Sequence, residues 1–204
     1  MDFRFTVVGD GWAKASIADG GQKMDFTISY LCDALRDMLE GMVCLLDGGD
    51  FWQMDWYDEP GVWHWEFVPT DGWKIEVGKT YFRGEDLLTT IARPFQVIIQ
   101  NDPELMRPIK AGDGQQIFRA VFPLKELATQ AVQRAGEMLA AYGFYGYRQN
   151  TIDLDFPVTQ YLMLEQRLRT VAAGFSSVWE FQRRHPLSLR ADLQVLGQCL
   201  KGDQ

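Results

Sequence analysis

The sequence is poor in the residues that most catalytic and metal chemistry needs. It has two histidines, His64 and His185, and three cysteines, Cys32, Cys44 and Cys199, in 204 residues. The cysteines are odd in number and widely spaced, and no pair stands as C-x-x-C, which excludes a zinc ribbon and a thioredoxin-like site. His64-Trp65-Glu66 has the H-x-E of the zinc deaminases, but no P-C-x-x-C segment follows to supply the thiolates, so the match is chance. His185 stands beside Arg183, Arg184 and Pro186 and reads as part of a solvated loop. There is no G-x-S-x-G elbow, no Walker A loop and no G-x-G-x-x-G. Gly9-Asp10-Gly11 leads into a strand pattern, not into a helix whose N-terminus could hold phosphate. No apolar run approaches the roughly 18 residues needed to span a bilayer. Met1-Asp2-Phe3-Arg4-Phe5-Thr6 alternates like a strand and lacks the charged start and apolar middle of a signal peptide. These absences lead us to expect a cytoplasmic protein with no cofactor, no metal and no membrane partner.

What the sequence does have is apolar surface and negative charge. Hydrophobic residues make up 47% of the chain, enough for a buried core without metal or disulfide staples. The net charge is −8 and is unevenly spread. Residues 1–103 hold 18 acids against 8 Lys/Arg, and residues 104–204 hold 10 against 12. Such a surface repels nucleic acid and anionic lipid and favours cationic partners. The change of sign near residue 103 coincides with a loop pattern and not with a linker. One domain is therefore expected over residues 1–204, with an acidic strand-rich half (1–103) and a helical half (104–204).

Phe3, Phe5 and Val7 alternate with polar residues, and two glycine-bearing turns lead to strands at 12–18 and 24–28, a three-strand meander. From Leu31 to Leu46 the apolar period becomes helical, with Asp33, Arg36, Asp37 and Glu40 on the other face. Ser29 is the expected N-cap. Alternation returns at Trp52–Trp56, Val62–Val68 and Trp73–Val77, with Tyr81 and Phe82 as an extension. A short helix is predicted over 87–92, a strand over 96–99, a loop over 101–114 and a strand carrying Ile117, Arg119 and Val121. Pro123 opens the cleanest helical stripe, Leu124 to Tyr142, which Gly143 is expected to end ahead of a Gly/Tyr loop. Phe156-Pro157 introduces another helix, and Ser188–Leu200 reads as a last short amphipathic one. The class predicted is α+β: a mostly antiparallel, mixed sheet from the N-terminal half with one packed helix, then a helical C-terminal half.

Five of the seven tryptophans fall between Trp52 and Trp73. Phe51-Trp52 and Trp56-Tyr57 put large rings on both faces of one strand, and only one face can meet the helix. Rings beside carboxylates are typical of interface anchors. The expected partner-binding set is Trp52, Asp55, Trp56, Asp58, Glu59, Trp63, Trp65 and Glu66. The bland reading of the same residues is sheet packing for the rings and a solvated turn for the acids. Asp55, Asp58 and Glu59 could also do general acid–base work if a cleft between the halves separated their proton affinities, which is the enzymatic alternative.

The segment Ser29-Tyr30-Leu31-Cys32-Asp33-Ala34-Leu35, the turn Asp58-Glu59-Pro60-Gly61 between Trp56 and Trp63, and Gly146-Tyr147 with Phe156-Pro157 resemble a group of small bacterial proteins over residues 1–165. Proteins of this type look like immunity proteins, which neutralise the toxic domain of polymorphic or contact-dependent toxins. The resemblance implies no catalysis and a cognate protein partner, a basic toxin domain, met by an acidic surface. A homodimer or structural subunit is the third expectation.

Overall fold

The computed structural model describes residues 1–59, 61–69, 73–81, 118–174, 178–185 and 188–199. The chain is α+β. Strands β1 (Asp2–Gly9), β2 (Trp12–Asp19) and β3 (Gln22–Ser29) form an antiparallel meander. Helix α1 (Ala34–Leu46) leads to a second antiparallel sheet of β4 (Trp52–Asp58), β5 (Gly61–Pro69), β6 (Trp73–Tyr81) and β7 (Phe118–Phe122), in that order. The C-terminal half is helical, with α2 (Leu124–Asn150), α3 (Val158–Ala172), α4 (Val178–Arg184) and α5 (Leu189–Cys199). The expected single mixed sheet is thus two antiparallel sheets. Expectations for 87–92, 96–99 and 101–114 fall outside the described residues.

Alternation sets the inner faces. Phe3, Phe5 and Val7 of β1, Ala13, Ala15 and Ile17 of β2, and Met24, Phe26 and Ile28 of β3 are buried, while their sequence neighbours face out. In the second sheet the inner face carries Met54, Trp56, Trp63, Trp65 and Phe67. The two inner faces meet through aromatic rings. Phe26 lies 5.0 Å from Trp63, 4.9 Å from Trp65 and 5.7 Å from Trp56, centroid to centroid, and Trp56 lies 4.5 Å from Trp65.

Several boundaries differ from the sequence pattern for local reasons. The N-cap of α1 is Asp33, whose carboxylate accepts the Arg36 amide at 3.3 Å. Ser29 is instead the last residue of β3, and its hydroxyl accepts the Leu31 amide in the turn that follows. Gly143 has φ 61° and ψ −176° and breaks the helical path, yet the chain resumes helix to Asn150, so the expected Gly/Tyr loop is a helical turn after a kink. Tyr147 makes resumption worthwhile: it is buried against Phe156 at 5.4 Å. In β7 the inward side chains are Phe118, Ala120 and Phe122, so Arg119 and Val121 belong to the outer face.

Helix α1 is held between β4 and the helices α2 and α3, and it buries Leu35, Met38, Leu39 and Met42 almost completely. Helix α2 runs beside β1. Its fully buried contact stripe, Leu127, Ala128, Ala131 and Ala135, is mostly alanine, which lets the helix come close to the strand. Among the described residues no helix is long and apolar enough to cross a membrane.

Candidate functional site

The eight residues marked out in the sequence do not form one surface. Trp56 and Trp65 have no exposure and Trp63 has 4%; all three sit in the layer between the sheets. The expectation that these rings reach water is corrected by burial: both sheets need them to fill the space around Phe26. Trp52 is half-buried, with its indole against Gly41 of α1. Asp58 accepts the Trp63 indole N–H at 3.2 Å, which ties one acid of the turn to the core. Asp55 and Glu59 are exposed, and Glu66 is half-buried opposite Gln53 on the outer face of β5.

The polar residues gather instead where the start of α1 lies near Asp55 of β4. Asp55 and His64 are cross-strand partners in register, and Asp55 Oδ1 lies 2.7 Å from His64 Nδ1. From α1, Asp33, Asp37 and Glu40 add three acids to the same neighbourhood. Their spacing of four and three puts them on one helical stripe. Arg36 is the cation among them. Its Nε lies 3.0 Å from Asp33 Oδ2, with both atoms shut off from water and too poorly aligned for a directed hydrogen bond.

Burial first, and this crowding second, show in the ionisation of the group. Burial pushes the Asp37 carboxyl up to about 7, and repulsion from Asp33, Glu40 and Asp55 adds to the rise against the opposing pull of Arg36. Burial also raises Asp33, with Asp155 contributing and Arg36 opposing. Cys32, just before the helix, accepts the Tyr57 amide at 3.3 Å. Burial pushes its thiol up to about 12, so it is protonated and unreactive as a nucleophile at neutral pH. Burial and the neighbouring Asp55 and Cys32 raise the Tyr57 hydroxyl.

The α1 acids were visible in the sequence as the polar face of an amphipathic helix. What the sequence did not reveal was that β4 would bring Asp55 alongside them. The described residues contain no cluster of His, Cys, Asp and Glu arranged to hold a metal ion. Two hollows stand out among the described residues. One is a cavity of about 20 Å³ beside the start of α1, and the other an open trough of about 370 Å³ on the outer face of β1 and β2 beside α2. Asp55, Asp58 and Glu59, the carboxylates named for the enzymatic alternative, line neither of these two. No protein-family model, no curated protein and no solved structure matches this chain.

Proposed function

We propose that this is a non-catalytic cytoplasmic protein that binds a basic protein partner through the acidic face of α1 and β4, in the manner of an immunity protein masking a toxin domain. The observation that carries the reading is the crowding of Asp33, Asp37, Glu40 and Asp55, close enough to help hold the Asp37 carboxyl near 7. Like charges held together on a folded surface store unfavourable energy, and a cationic partner relieves it on docking. The uneven charge of the chain adds a long-range field of the same sign, which speeds encounter with a basic partner. The protonated Cys32 thiol offers no activated nucleophile at the start of α1, which favours binding over chemistry there.

The test is co-expression with the protein encoded beside it, using wild type and a Glu40→Lys, Asp55→Lys double variant. Both positions are exposed, so the fold should persist. The expected result is a complex with the wild type whose affinity falls steeply with salt, and weakening of about tenfold or more in the double variant. A complex indifferent to salt and to both substitutions would remove the acidic face from the account, and toxicity unchanged by the wild type would remove the immunity role.

A further inference from the structure

Among the described residues the tryptophans of β5 are internal and give the acidic face no apolar anchor of the kind that protein interfaces usually place at their centre. Exposed apolar side chains occur elsewhere, where the β1–β2 turn meets the end of α2. Gly11 N–H donates to Asn150 O at 3.1 Å and fixes this junction. A methyl group at Gly11 would lie 2.6 Å from Ile152 Cδ1 and 2.9 Å from Tyr30 Cδ1, so both side chains close over the bare glycine. Each stays open on its other side: Ile152 is 48% exposed and Tyr30 42%.

The backbone holds Ile152 there against its preference. Ile152 has φ 50° and Asp153 has φ 68°, a left-handed pair that a β-branched residue rarely enters. The conformation is clamped by neighbours. Arg148 pairs with Asp153 at 3.2 Å and with Asp155 at 2.9 Å, and the Thr151 hydroxyl donates to Tyr147 O at 2.8 Å. A glycine or asparagine would make this turn without strain, so it is the side chain and not the turn that calls for isoleucine.

The rim of the patch is acidic. Asp10 is exposed in the turn, and Asp153 and Asp155 are 83% and 69% exposed, with Arg148 as the cation between them. The patch also adjoins the acidic face. Gly11, Tyr30, Cys32, Asp33 and Tyr147 line one cavity, and Asp155 acts electrostatically on Asp33.

We infer that Tyr30 and Ile152 form the apolar anchor of the partner interface, and that they receive a protein segment presenting an apolar side chain flanked by lysine or arginine. The sign of the flanking charge follows from the acidic rim; the location rests on the patch itself and extends the reading of the acidic face. Burying one such side chain is worth about tenfold in affinity or more.

The experiment is an NMR titration of the full chain with three short synthetic peptides. One carries leucine between lysines, one serine between lysines, and one leucine between glutamates. The expected result is that the lysine–leucine peptide shifts the amides of Gly11, Tyr30 and Ile152 and binds about tenfold more tightly than the other two. Ile152→Gly, which relieves the backbone, and Tyr30→Ser, at an exposed position, should each abolish that advantage while the thermal unfolding temperature stays near wild type. Shifts confined to Asp37, Glu40 and Asp55, equal for both lysine peptides, would overturn the anchor while leaving the acidic face standing. No shift at either place would overturn both. Concentration-dependent shifts of Ile152 in the protein alone would assign the patch to a second copy of this chain and also overturn the inference.

Discussion

The indole of Trp52 lies against Gly41, so close that a Cβ there would collide with its Nε1, Cδ1 and Cε2 atoms. Gly41 is buried in the middle of α1, where alanine would ordinarily stabilise a helix by about 1 kcal/mol. The collision outweighs that gain, because ring and helix must separate and Trp52 packs against the core. Gly41→Ala is expected to destabilise the protein by about 1–3 kcal/mol in urea unfolding. A Gly41→Ala, Trp52→Leu double variant should lose less than the two single changes added together. Simple additivity would mean that the two residues do not meet.

Helix α2 closes the outer edge of β1 with side chains in place of a strand. Gln130 accepts the Phe3 amide and donates to Met1 O at 2.9 Å, Arg134 donates to Phe3 O at 3.3 Å, and Tyr142 donates to Val7 O at 3.2 Å. An uncovered edge is a template for pairing with other chains. Gln130→Leu removes the acceptor of the Phe3 amide and the donor to the Met1 carbonyl at a half-buried edge. The expected cost is about 1–3 kcal/mol, with light scattering at high concentration revealing more association than in wild type. A variant that matches wild type in both stability and association would show that water satisfies this edge equally well.

The edge closure explains what was and was not legible in the sequence. Alternation in Phe3-Arg4-Phe5-Thr6-Val7 revealed the strand and its buried face, because that pattern is local. The role of Gln130 was invisible, because it depends on a helix 127 residues away lying along the strand. The tryptophans failed in the same way. Their inward or outward facing in β4 and β5 was readable, but whether a second sheet covered them depended on Phe26, one residue in a distant meander. At α1 the periodic face was clear and the start was not, because Ser29 and Asp33 are both good caps and only tertiary pairing kept Ser29 in β3.

Cys32 offers a check on the chemistry of the α1 start. Its thiol, pushed up to about 12 by burial, should react with an aromatic disulfide reagent at neutral pH only as fast as the protein opens. Cys32→Ala should therefore leave the rapid labelling of the native protein unchanged and remove one thiol from the denatured total. A drop in rapid labelling would place an accessible thiolate at this position and revive a nucleophilic reading.

Asp37 makes a prediction about pH with a definite sign. Its carboxyl is raised from 3.8 to about 7 in the folded protein, so the folded state holds its proton where the unfolded chain has released it. Stability from this group is therefore greatest below about 3.8, falls as the pH rises towards 7, and is flat above. Asp37→Asn mimics the protonated form. It is expected to match wild type at the acid end and to exceed it by about 2 kcal/mol above neutrality, a figure reduced from the full shift because the side chain is partly open to water. Urea midpoints at about pH 5 and about pH 8 decide the matter. The gain should be larger at the higher pH, and an equal difference at both would mean that the new amide acts through packing and that the four acids are not crowded enough to attract a partner. The same substitution should weaken binding to a basic partner while strengthening the fold, an opposition expected only where charge is held at a cost to stability for recognition.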